Sequence, residues 1–385
     1  MAKTENERPE TVIKVKGRKK QKKILRTLII LISVGLLALT AFYIAPHVRQ
    51  RTEKAKSDGG EDLLFSTDSE VVGSIHLSSG NIVVTAKSLI SFKPNGETRY
   101  VENIGYSNPV FKSSDRKYIV FERSTGKYTI ADKSGIIFRN DLEDEIINCD
   151  IASNGNYVII TRNAGGTQLV TVYSANNKAV FGWECTDDYL VDAALSKNGK
   201  SIAVSSLNVS NGDPFSRIYY FNVDSLQVEN KIEYPNETVY RIKFIDNKNV
   251  SVITDISYMT ADLSKGESKV LSYEYDKIAG FSFGSNSSVA ILKTGFGSLN
   301  EKKLMIVNKK CENVFENSIE SDILDFGTDG KNAYILIAGK VLVYSISSGE
   351  RGDDIEVDSS ATKIMISGSD IFALSSDCVY KYAIK

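Results

Sequence analysis

Histidine, cysteine, proline and tryptophan are all scarce in this chain, and each scarcity removes a class of function. With only two histidines among 385 residues, His47 and His76, a nucleophile–His–acid triad or a histidine-rich metal centre has almost nothing to build on. The four cysteines, Cys149, Cys185, Cys311 and Cys378, are dispersed and form no C-x-x-C pair, which excludes a zinc knuckle or a redox dithiol. Cys149 and Cys185 fall on strands three spacings of about 4.8 Å apart, too far for a direct bridge. The short glycine runs, GFG at 295–297 and NAGGT at 163–167, lack the helix that a phosphate cradle requires. Of the six prolines, Pro94, Pro109, Pro214 and Pro235 fall at strand edges or in loops, leaving long stretches free to form ladders.

What the chain does have is a phrase that returns from Gly73 to the C-terminus. A short apolar strand is followed by a turn of Ser, Asn, Asp, Lys and Gly, then by a strand rich in Val, Ile and Tyr. DIASNGNYVII (150–160), AALSKNGKSIAVSS (193–206) and DFGTDGKNAYILI (325–337) are its clearest copies. The second strands begin near Ile82, Tyr118, Tyr157, Ile202, Val252, Val289, Tyr334 and Ile371, a mean spacing of about 41 residues. A unit of this size holds four strands that cannot bury their faces alone, so the units must stack. The fold class is therefore all-β, an eight-bladed β-propeller with seven blades as the alternative count. Blade three reads as Asn148–Ala152, Tyr157–Arg162, Gln168–Ser174 and Lys178–Trp183, with Asn and Gly supplying positive φ at its turns. The chain ends before the last blade has a fourth strand. Residues 62–72 are placed to supply it and to close the ring.

One long apolar run precedes the repeats. Thr27–Ala45 is 19 residues without a charge, the length of a membrane span, and no small-x-small cleavage site follows it. Ten Lys or Arg precede it, whereas only Arg49, Arg51, Lys54 and Lys56 follow closely, which puts the N-terminus in the cytoplasm. The expected order is a basic cytoplasmic tail (1–23), one transmembrane helix (24–45), a linker (46–61) and an extracytoplasmic propeller (62–385). Residues 1–60 carry 14 of the 47 basic and 5 of the 48 acidic residues, so 61–385 keep 33 and 43, a net of −10. That balance argues against nucleic acid as a partner.

Candidate chemistry is thin. His76, in GSIHLSSG, reads as an edge histidine, and the pairs Asp187–Asp188 and Asp353–Asp354 read as solvated loop acids. The Asn-x-Ser/Thr triplets at Asn208, Asn236 and Asn286 carry no weight by themselves, and the RGD at 351–353 reads as a turn. No catalytic, metal or cofactor residue is expected. Binding is the better reading. Two loops between second and third strands are expanded, 207–216 and 293–303, and they present Phe215 and Phe296. The connector from blade three to four adds Trp183, Asp187 and Tyr189. Aromatics in such loops anchor partners, although Trp183 and Phe215 also suit a plug between blades.

LSKNGKSIAVSS, and more loosely IASNGNYVII and GTDGKNAYIL, resemble the strand–turn–strand core of WD40-like bacterial propeller repeats. The Gly-His and Trp-Asp pairs of eukaryotic WD40 blades are absent. The whole architecture is similar to a domain-of-unknown-function family of Gram-positive bacteria with one membrane span and a propeller ectodomain. That resemblance implies an envelope protein that binds a protein partner as a scaffold or sensor. A receptor for wall glycan or peptide is the alternative, and a propeller hydrolase or lyase a distant third.

Overall fold

Short β-branched runs punctuated by Asn, Asp and Gly fold into eight antiparallel sheets of four strands each. The computed structural model describes residues 62–384 apart from 211, 226, 274, 275, 285, 286 and 296–301. The expected tail, span Thr27–Ala45 and linker lie outside the described residues, among which no helix is long and apolar enough to cross a membrane. Seven blades run consecutively, at residues 71–103, 109–141, 145–185, 189–235, 239–272, 277–319 and 325–356. The eighth joins three C-terminal strands, Lys363–Ser367, Asp370–Leu374 and Cys378–Ala383, to Asp62–Ser66 as its outermost strand. Eight blades and a ring closed by the N-terminal strand are as the sequence led us to expect.

Position within a blade dictates composition. The second strand has partners on both edges and a neighbouring blade on each face, so it needs an apolar or compact residue almost everywhere. Gly80–Thr85 is buried at all six positions, and Tyr157–Arg162 at all but the last. Outer strands such as Thr98–Asn103 instead alternate between half-buried and exposed residues. In blade three, Gly155, Gly166 and Asn177 take φ of 91°, 88° and 59°, the left-handed backbone that its three turns require. The outer strands of blades one, two, three, four and six each carry a β-bulge where they leave the third strand. A bulge twists a free edge away from pairing with another chain.

One expectation fails. Residues 207–216 are not an irregular loop. The second strand of blade four, Ser201–Ser210, and the third, Asp213–Asn222, each run ten residues and stay paired through Asn208↔Phe215, Val209↔Pro214 and Ser210↔Asp213. Two residues, Asn211-Gly212, separate the strands, and Gly212 sits at φ 95°. An Asn-Gly pair between alternating stretches is a hairpin signal.

At the seam, Asp62, Leu63, Phe65 and Ser66 pair with Lys381, Tyr380, Val379 and Cys378. Phe65 meets Phe92 of blade one edge-on at 5.1 Å, and Phe92 meets Phe372 of blade eight at 5.4 Å. Phe65→Ala should therefore cost about 3–5 kcal/mol, read as a shift in the denaturant midpoint. Removing residues 376–385 should abolish cooperative unfolding. An unchanged midpoint in both variants would show that the seam does not hold the ring.

Candidate functional site

The second-to-third turns and the blade-to-blade connectors lie on one side of the disc. On that side, the connector 186–188 delivers Asp188 into the corner between blades three and four. Its side chain is wholly buried. Oδ1 accepts from Arg217 Nη1 at 2.5 Å and Asn208 Nδ2 at 2.8 Å, while Oδ2 accepts from Ser206 Oγ at 2.8 Å and Tyr219 Oη at 2.7 Å. Four donors fill the carboxylate's acceptor sites. Burial by itself would favour the neutral acid, but the four hydrogen bonds outweigh it and hold the Asp188 carboxyl down at about 2. Burial, and the bond to Asp188, push the Tyr219 phenol upward.

Arg217 links this core to the surface. Its Nε donates to Glu233 at 3.2 Å, and its guanidinium lies 4.6 Å over the Phe215 ring. Trp183 is half-buried with its ring centroid 4.9 Å from both Tyr219 and Phe221, so it occupies the packing between blades three and four. Asp187 is exposed, and its backbone oxygen accepts from Asn208 at 3.1 Å. Tyr189, 50% exposed, accepts from Arg162 at 3.4 Å. The fold thus gathers Trp183, Asp187, Tyr189 and Phe215 at one corner, whereas Phe296 lies outside the described residues.

Two members of this corner escaped the sequence reading. The solvated-acid expectation fits Asp187 and fails for Asp188, because the connector is short enough to tuck the second acid beneath the hairpin. Arg217 was legible only through its cross-strand partner, Glu233, directly opposite in the ladder. The amide of Asn208 is taken up by Asp187 and Asp188. Elsewhere, Arg351 of the RGD closes on its own turn, donating to Asp354 through Nε at 3.0 Å and Nη2 at 2.5 Å. His76 is exposed, with Nδ1 2.9 Å from Asn81 Oδ1.

A family model described as a family of unknown function, DUF5711, matches residues 61–379. Among solved structures, the C-terminal WD40 domain of Sif2 is similar at a TM-score of 0.61 and 12% identity, covering 84% of this chain and 98% of that domain. Sqt1 of Saccharomyces cerevisiae is similar at 0.56 and 11% identity, covering 84% of this chain and 99% of its own. Identities this low show a shared fold and nothing about ligands. No curated protein matches the sequence.

The Asp188 cluster makes stability depend on pH with a definite sign. A carboxyl held at about 2 in the folded state, against about 3.9 unfolded, stabilises above pH 4 and loses that contribution as pH falls toward 2. Asp188→Asn should lower unfolding free energy by about 2 kcal/mol at pH 6, and the gap to the parent chain should narrow at pH 3. A gap independent of pH, measured by urea unfolding, would contradict this account.

Proposed function

The chain belongs to the DUF5711 family, whose function is unknown, and we propose that it is a non-catalytic scaffold that binds a protein partner through the connector side of blades four and five. One observation carries this reading. Four large apolar side chains are exposed there: Tyr189 at 50%, Val209 at 66%, Tyr240 at 46% and Ile256 at 45%. Val209 stands near the tip of the extended hairpin, and Ile256 lies in the second-to-third turn of the next blade. Tyr189 and Tyr240 sit where the inner strands of blades four and five begin. Single exposed apolar residues are ordinary, but several on one side of adjoining blades mark a docking surface. Arg217, 22% exposed over Phe215, adds a cation held in place by Asp188 and Glu233, the kind of rigid anchor found at the centre of interfaces.

The same proposal extends to place. The uncharged run Thr27–Ala45 and the basic residues before it support a single membrane anchor with its N-terminus in the cytoplasm. The propeller would then face the outer side of the membrane, and the partner would be an envelope protein.

Crosslinking on intact cells with the full-length chain tests this. A discrete protein should be recovered, and Val209→Asp and Tyr240→Ala should each reduce its yield about tenfold or more, given the usual weight of anchor residues. Undiminished recovery with both variants would overturn the surface. Recovery of wall polymer without a stoichiometric protein would replace the scaffold with a receptor for wall glycan.

A further inference from the structure

The inner strands of blades two to five bring unusual charge to the centre of the ring. Lys112 of blade two reaches Asp192 of blade four at 2.6 Å, with side chains only 4% and 1% exposed. Asp192 also accepts from Asn148 Nδ2 at 2.9 Å and from the Ile242 backbone N–H at 3.0 Å. Asp150 accepts from the Leu195 backbone N–H at 2.9 Å. Asp192 is accordingly well occupied, whereas Asp150 accepts this one bond. Blade five adds two more cations, Arg241 and Lys243, two residues apart on the inner strand Val239–Phe244. Alternation along a strand turns both to the same side, about 7 Å apart.

Neither cation has a hydrogen-bonded acidic partner among the described residues. Arg241 Nη1 stands 3.7 Å from Asp192, beyond hydrogen-bond range, and Arg241 Nε is buried with no partner. Lys243 is exposed and takes part in no salt bridge among the described residues; its Nζ instead lies 4.7 Å over the ring of Phe283. Phe283 and Phe281 belong to the inner strand of blade six, Lys277–Phe283, where both are half-buried with ring centroids 5.9 Å apart. With Nη1 turned toward Asp192 in a loose ion pair, Nε and Nη2 form the guanidinium's other, two-pronged donor edge. That edge matches the two oxygens of a carboxylate.

We propose that the facing inner strands of blades five and six form a binding site for a small organic carboxylate. The carboxylate sits on the Nε/Nη2 edge of Arg241 with Lys243 beside it, and the apolar body lies against Phe281 and Phe283. A buried donor without an acceptor carries a standing cost that such a ligand relieves. The ligand is an organic acid rather than a bare inorganic anion because Lys243 stands against an aromatic ring, that of Phe283. The site lies on inner strands, apart from the exposed residues of the partner-binding side, so it stands or falls independently of the scaffold reading.

Benzoate is a suitable probe, with acetate as the carboxylate lacking an apolar body and benzamide as the neutral counterpart. Thermal unfolding of the full-length chain is followed as each is added at fixed ionic strength, with chloride making up the balance. A ligand bound only by the folded state raises the midpoint with its concentration. Benzoate should raise it most, acetate less and benzamide not at all. Lys243→Met and Arg241→Lys should each weaken the apparent benzoate affinity about tenfold, because neither preserves the donor fork with its neighbouring charge. Val209→Asp should leave the response intact. If Arg241→Lys does not fold, Lys243→Met decides the matter, since that exposed side chain makes no hydrogen bond or salt bridge among the described residues and only lies over the Phe283 ring. A benzoate response no greater than that of chloride overturns the proposal, as does an equal response in parent and Lys243→Met. Equal responses to benzoate and acetate overturn the aromatic wall.

Discussion

Eight separate sheets share one continuous ring only if the last is joined to the first, and Asp62–Ser66 makes that join. Everything else is conditional on it. Each blade buries its two faces against its neighbours, so an open ring would leave one face of blade one and one of blade eight wet, with two bare edges at the ends. The closing strand contributes more than ladder bonds. Phe65 completes an aromatic series through Phe92 to Phe372, so the strand also caps the core between the end blades. Blade four lies half a ring from this seam in chain order, where the extended hairpin and its exposed residues sit.

Inside the ring, the joints between blades use two devices. At some joints a carboxylate on one inner strand takes a backbone N–H of the next: Asp150 with Leu195, Asp192 with Ile242, and Asp325 with Ile364. At others a bulky side chain lies over a glycine. A β-carbon on Gly73 would stand 2.6 Å from the Phe111 ring, and one on Gly280 would stand 3.4 Å from Phe326. Both devices fix the offset of one inner strand against the next, which no ladder does. The carboxylate joints are costly to assemble, because burying Asp192 and Lys112 together requires shedding water from both. Their return is specificity of offset rather than net stability, in keeping with Asp192 answering to blades two, three and five at once.

This division explains what the sequence could and could not reveal. Blade number, period and closure were legible because they rest on local features: a second strand without polar breaks, an Asn or Gly turn, and a final blade one strand short. The hairpin at 207–216 was misread because its Ser, Asn, Gly and Pro content looks like a loop, although the register carries pairing out to Ser210 and Asp213. Trp183, Asp187, Tyr189 and Phe215 were found as aromatics and acids near a connector, but their roles were not. Whether Trp183 packs or projects depends on Tyr219 and Phe221, on the far side of the joint. The inner-strand charges were passed over altogether. Lys112 and Asp192 are 80 residues apart in sequence, and only closure of the ring brings them within reach. Charged residues in strands that ought to be small or apolar, as in YLVDAAL and VYRIKF, were the available signal.

At the joint between blades five and six neither device is complete. On one side, blade five offers Arg241 and Lys243, heirs to the polar joints that precede them. On the other, blade six offers Phe281 and Phe283, while its Gly280 lies under Phe326 of blade seven. A cation facing an aromatic ring is favourable but worth less than a hydrogen-bonded ion pair. Arg241, in only a loose ion pair with Asp192 at 3.7 Å, keeps a buried Nε with nothing to donate to. This residual donor accompanies a change in packing scheme around the ring. A ligand joining an anionic head to an apolar body has the one chemistry that suits both sides of that change.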